Sequence, residues 1–165
     1  MSSYSQILSS TAKGTRNLWF IAGPDKALVQ DAFEHAKQHA FEGAEAVTMT
    51  TFVGGTCKPI EVARRLQQHG HERSIVTMLD AEKFTGWEEV ESLLRSLPKT
   101  DFFIAVSNED SPDETQQHIS LFRGTTKARY VLCKPFTTAQ LTEWVTSKLT
   151  IQAGAAQHLV ERANG

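Results

Sequence analysis

Five short runs of apolar, β-rich residues recur along this chain, and between them the apolar residues fall at helical spacing. No other feature narrows the fold as far. Leu18 to Ala22 (LWFIA) and Asp101 to Val106 (DFFIAV) are apolar along their length rather than at every second residue. Strands of that kind are buried on both faces. The other three runs lie at Ala46–Phe52, Ser74–Leu79 and Tyr130–Cys133. From Asp25 to about Ala40, Leu28, Ala32, Ala36 and Ala40 recur every four residues with Val29 and Phe33 beside them, the apolar face of a helix. Pro59 starts a second helix with Ile60, Val62, Ala63 and Leu66 toward the core. Thr85 with Glu88 reads as a capping box for a third, carrying Trp87, Val90, Leu93 and Leu94 and stopped by Pro98.

Ser111-Pro112-Asp113-Glu114 opens a further helix with an N-cap, a first-position proline and an acid. Thr137 with Gln140 forms another capping box, with Phe136 and Leu141 at staple positions, for a helix reaching about Leu149. A last amphipathic stretch, Ala155 to Ala163, puts Ala156, Leu159, Val160 and Ala163 on one side. Strands alternating with helices predict an α/β fold, a five-stranded parallel sheet with helices on both faces. Residues 1–17, polar and Ser/Thr-rich, read as a flexible tail, 18–136 as the α/β domain and 137–165 as the start of a second, helical part.

A chain of 165 residues with 40% hydrophobic and 22% charged residues can bury a core without disulfide or metal staples. No apolar run approaches the roughly 20 residues of a membrane span, and the first 20 residues lack a charged segment followed by an apolar one. Cys57 and Cys133 form no metal or redox motif, as expected of reduced thiols in a cytoplasmic protein. A formal net charge of −2 excludes a global basic field for nucleic acid.

In an open parallel sheet, ligands bind at the carboxyl ends of the strands. The first such end reads Gly23-Pro24-Asp25-Lys26-Ala27-Leu28-Val29-Gln30. A phosphate loop needs a second glycine five positions on, then Lys and Ser or Thr; Gly23 is present, but Leu28, Val29 and Gln30 hold those places. Gly23, Lys26 and Gln30 are therefore remnants of a degenerate loop, with Lys26 a solvated residue of the first turn, and no nucleotide cofactor is expected. Asp80 and Glu82 end the third strand as a degenerate counterpart of a magnesium-holding acid pair, and read first as turn residues. Ser107-Asn108 ends the fourth strand.

His35 and His39 have i, i+4 spacing without an acidic third ligand, and His69 and His71 flank Gly70 in a polar turn, so no metal site is expected. Neither cysteine has a His partner and no serine-nucleophile turn occurs; the chain offers no catalytic set and is expected not to be an enzyme. Lys58, Arg64, Arg65 and Arg73, and again Arg123, Lys127, Arg129 and Lys134, read as solvated faces, with a weak DNA contact as their functional alternative.

Three segments resemble the amino-terminal region of the delta subunit of the bacterial DNA polymerase III clamp loader. The run RNLWFIAGPDKALVQDAFEHAKQHA resembles its opening strand, its Gly-x-Asp turn lacking the phosphate-loop lysine, and its first helix. Glu72 to Lys83 resembles its Arg, apolar strand and Asn-Ala-Glu-Lys-like ending. Cys133-Lys134-Pro135-Phe136 with Ala139-Gln140-Leu141 and Glu143-Trp144-Val145 resembles its passage into a lid domain, and Ala155 to Gly165 resembles the next lid helix. The resemblance covers nearly everything after residue 17.

It implies an AAA+-like domain without ATP binding, whose partners are a sliding clamp and the other clamp-loader subunits. The family's clamp contact is a Leu-Phe wedge four and three residues ahead of the Arg preceding the third strand. Counting back from Arg73 finds His69 and Gly70 there, with Leu66 or Ile60 as the apolar substitutes. The family continues into a helical collar, ahead of which this chain ends, so it reads as an amino-terminal fragment or a diverged relative. Two alternatives stand beside this. Lys134-Pro135-Phe136 after a fifth strand also resembles a response-regulator receiver, with Asp80 as phosphoacceptor and Ser107 as its hydroxyl. An ATP-less AAA+ scaffold would share the fold.

Overall fold

The structure, a computed structural model, describes residues 16–108, 128–149 and 153–164. The tail expected over residues 1–17 falls almost wholly outside them, as does the helix expected after Ser111. The chain divides into two compact units, Met1–Cys133 and Lys134–Gly165. In the first, strands β1 (Leu18–Ala22), β2 (Val47–Val53), β3 (Arg73–Leu79), β4 (Phe102–Ser107) and β5 (Ala128–Leu132) alternate with helices α1 (Lys26–Phe41), α2 (Pro59–Gln67) and α3 (Trp87–Arg95). All strand pairs are parallel, in the order β2-β3-β4-β1-β5.

Side chains alternate between the two faces of the sheet. Leu18, Phe20, Val76, Met78, Phe103 and Ala105 form one core with Val62 and Leu66 of α2 and Trp87, Val90 and Leu94 of α3. Burying each large member contributes roughly 1.5–3 kcal/mol. Trp19, Ile21 and Ile104 point to the other face, where α1 lies against β1 and β4. There the alanines at 32, 36 and 40 are fully buried and let the helix approach closely.

Ile60, expected toward the core, is instead 54% exposed. On α2, Val62 and Leu66, four apart, suffice for the buried stripe, and Ile60 falls outside it. The capping box expected at Thr85 is also absent. α3 starts one residue later than that box requires, with Gly86 as its cap and no side-chain bond. Packing sets this start, because a Cβ on Gly86 would lie 2.3 Å from Pro59 Cγ and 2.8 Å from the Phe84 ring.

Two polar side chains tie the amino ends of the strands together. Asn17 is buried; its Nδ2 donates to Pro98 O at 2.7 Å and Asp101 O at 2.8 Å, while Phe103 donates its N–H to Asn17 O at 2.9 Å. Arg73 Nη1 donates to Ala40 O at 2.8 Å and Glu42 O at 2.6 Å, and its guanidinium lies over the Phe102 ring. It thereby satisfies carbonyls that the end of α1 leaves open.

In the second unit, α4 (Thr138–Leu149) and α5 (Ala153–Asn164) pack on each other. The capping box at Thr137 is present. The Thr137 N–H donates to Gln140 Oε1 at 3.0 Å, and the Gln140 N–H to Thr137 Oγ1 at 3.4 Å. On α5, Ala156 and Val160 are buried, whereas Leu159 and Ala163, expected on the same side, are exposed.

Candidate functional site

The carboxyl ends of the strands carry the loop that the sequence reads as a degenerate phosphate loop, and Cys133 lies against its glycine. Gly23 has φ +155, and a Cβ there would lie 2.1 Å from the carbonyl oxygen of Cys133. Only glycine permits that close approach. The Cys133 N–H also donates to Ala22 O at 2.7 Å. Burial, with smaller contributions from Asp25 and Asp31, pushes the Cys133 thiol up to about 12.

Asp25 caps α1, its Oδ1 accepting the N–H groups of Ala27 at 3.0 Å and Leu28 at 3.1 Å. First-turn amides of this kind are the donors that a helix N-terminus offers a phosphate. Here a carboxylate of the chain already holds them. Lys26 and Gln30 are exposed, and the Gln30 amide donates to Glu34 Oε1 at 2.8 Å along the outside of the helix.

Asp80 sits in the left-handed region, φ 48 and ψ 45, a conformation that Asp and Asn adopt more readily than other side chains. Its carboxylate pairs with Lys83 Nζ at 3.1 Å. Glu82 Oε2 accepts the Asn108 N–H at 3.3 Å. The two acids thus serve the turn after β3, where Gly54 donates to Leu79 O at 2.8 Å and runs against Asp80 O.

The sheet order also decides against the receiver reading. A receiver sheet runs 2-1-3-4-5, with its first strand next to its third. In this chain β4 separates β1 from β3, and β1 lies between β4 and β5. Asp80 and the end of β1 therefore do not adjoin. Asp25, which follows that end, is engaged as a helix cap.

At the opposite edge of the sheet, a cleft of about 510 Å³ is lined by Thr48, Arg65, Gln68, His69, Gly70, His71, Glu72 and Ser74. Two of its lining residues are tied together by Asp101, only 6% exposed. Asp101 Oδ1 accepts the Ser74 N–H at 3.1 Å, and Oδ2 lies 3.2 Å from His69 Nδ1. A proton on Nδ1 makes that contact a hydrogen bond and turns Nε2 away from the carboxylate. Arg65 Nε donates to Thr50 Oγ1 at 2.8 Å, Arg65 Nη1 to Gln68 O at 3.2 Å, and Thr48 Oγ1 to Glu72 Oε2 at 2.5 Å.

Of the residues expected to make a partner contact, His69 and Gly70 are exposed in this turn and Ile60 is exposed at the start of α2. Leu66 is not available. It is 3% exposed and part of the core against α3 and β3. The basic clusters are also thinner than their sequence suggests. Lys58 and Arg64 are exposed, but Arg65 and Arg73 are engaged internally. Arg129 is buried over the Trp19 ring, 4.7 Å from its centroid, and desolvation, with help from Arg16, lowers its pKa. Arg123 and Lys127 lie outside the described residues.

Sequence reasoning missed Asp101 as the tie between two residues of the cleft lining. Its signal is a charged residue opening an otherwise fully apolar strand, which has to find buried partners.

No protein-family model matches the chain, and neither does any curated protein sequence. Among solved structures, its fold is similar to that of the Bacillus subtilis DNA clamp loader delta protein (YqeN), with a TM-score of 0.68 at 16% sequence identity. The match covers 94% of this chain and 51% of that one, so the chain spans about half the length of its neighbour. The likeness is one of fold, a five-stranded parallel α/β domain. Among the described residues no helix is long and apolar enough to cross a membrane.

Proposed function

We propose that this chain is a clamp-loader-type subunit that binds a ring-shaped sliding clamp without binding nucleotide, acting by contact rather than catalysis. The observation that carries this reading is the fold likeness to a clamp loader delta protein over 94% of the chain. The loop after β1 supports its nucleotide-free half, because the Asp25 carboxylate holds the amides a phosphate would need.

The contact face is the outer side of α2 and the turn that follows it. Ile60 supplies the exposed apolar anchor, and His69 and Gly70 take the positions of the family's wedge. The other loader subunits are further partners, and exposed Lys58 and Arg64 supply a weak DNA contact. Such a role is cytoplasmic.

The test is surface plasmon resonance of the full chain over the immobilised sliding clamp of the same organism. Saturable binding, weakened at least tenfold (about 1.4 kcal/mol) by Ile60→Glu, is expected. Binding to other loader subunits but never to the clamp would overturn the clamp contact and leave a scaffold role. Micromolar ATP binding by calorimetry would overturn the nucleotide-free half.

A further inference from the structure

The outer edge of β2 points to a self-pairing interface, in which two copies of this chain join their sheets through antiparallel β2 strands centred on Thr51. β2 ends the sheet, and among the described residues no strand pairs with its outer side. An edge presents a row of N–H and C=O groups to any extended partner, and proteins ordinarily block this with charges, proline or a bulge. β2 (VTMTTFV) has no charged residue and no proline, and it pairs with β3 residue for residue without a bulge, from Val47↔Arg73 to Val53↔Leu79.

Its exposed apolar side chains are Met49, 49% exposed, and Val53, 38% exposed, on the same face of the strand. They flank Thr51 symmetrically. A twofold axis through Thr51 therefore sets Met49 of each copy against Val53 of the other, and Thr50 against Phe52. That register covers both exposed apolar residues with each other and opposes no like charges. Charge also favours it on the other face, because Arg65, bonded to Thr50 Oγ1, is carried toward the half-buried Phe52 ring of the second copy. A second copy fits this edge better than a charged peptide, since the strand offers a peptide no charge to read.

Sedimentation equilibrium on the full chain tests this. A concentration-dependent dimer is expected, with Met49→Lys raising its dissociation constant by about tenfold or more, since the ammonium then faces Val53. Val53→Glu should weaken it similarly, and an equimolar mixture of the two variants should recover dimerisation, because Lys and Glu then oppose each other in the mixed pair. That recovery separates loss of the interface from loss of the fold. A chain that stays monomeric at millimolar concentration, a dimer indifferent to both variants, or a mixture that fails to recover would each overturn the proposal.

Discussion

Asp25 Oδ1 accepts the backbone N–H of Leu28 at 3.1 Å, so the first turn of α1 is satisfied from within the chain. The same oxygen takes the N–H of Ala27. One carboxylate thus stabilises the helix and carries negative charge where a nucleotide phosphate would bring more of it. Asp25→Ala should cost about 1 kcal/mol of stability, the usual value of a lost N-cap. It should not create ATP binding, because the Gln30 amide stays bonded to Glu34 along the outside of α1 and Cys133 still covers Gly23. Urea unfolding reads the first outcome and titration calorimetry with ATP the second.

Leu66 and Ile60 should respond to truncation in opposite ways. Leu66→Ala removes a buried side chain from the core and should cost about 2–5 kcal/mol. Ile60→Ala, at an exposed position, should stay within about 0.5 kcal/mol of wild type while weakening clamp binding. Equal stability losses in urea unfolding would mean that α2 is rotated relative to its described orientation.

Arg73 joins the end of α1 to the start of β3 through two carbonyl oxygens. Replacing it with leucine keeps some packing over Phe102 but leaves both carbonyls without their charged donor. A loss of about 1–3 kcal/mol is expected, in the range for hydrogen bonds to a charged group. Hydrogen exchange should quicken first in the last turn of α1. Faster exchange spread evenly over the sheet would instead mean that the two contacts contribute nothing local.

Much of this was legible in the residues, and the reasons differ by element. The apolar runs around Phe20 and Phe103 announced strands buried on both faces, and the four-residue recurrence of Leu28 and the alanines of α1 announced the apolar face of a helix. The order of the strands was not legible, because a parallel sheet records its neighbours in long-range packing and not in local pattern. The strand positions alone could not separate a receiver from an AAA+-like sheet. At Gly86 a close approach to Pro59 overrode the capping signal at Thr85. The left-handed turn at Asp80 leaves no periodic trace. The cleft was hidden for a similar reason, since Asp101 and His69 meet only when β4 and the turn after α2 come together.

A half-buried histidine and a buried cysteine should each contribute to the pH dependence of stability. His35, with Nε2 buried and unpartnered, has its pKa lowered below the ordinary 6.5, first by burial and then by His39. The unfolded chain therefore takes the proton first. His35 contributes stability that is whole above 6.5 and is lost as pH falls through that value toward its lower folded pKa. Cys133 works at the other end. Its thiol is raised from 9.0 to about 12, so its contribution is whole below 9.0 and is lost as pH rises from there to about 12. Urea midpoints measured across this range should fall at both ends. His35→Gln should flatten the acid side alone, and Cys133→Ala the alkaline side alone. An acid limb unchanged in His35→Gln would show that His35 protonates equally well folded and unfolded, and would remove it as the cause.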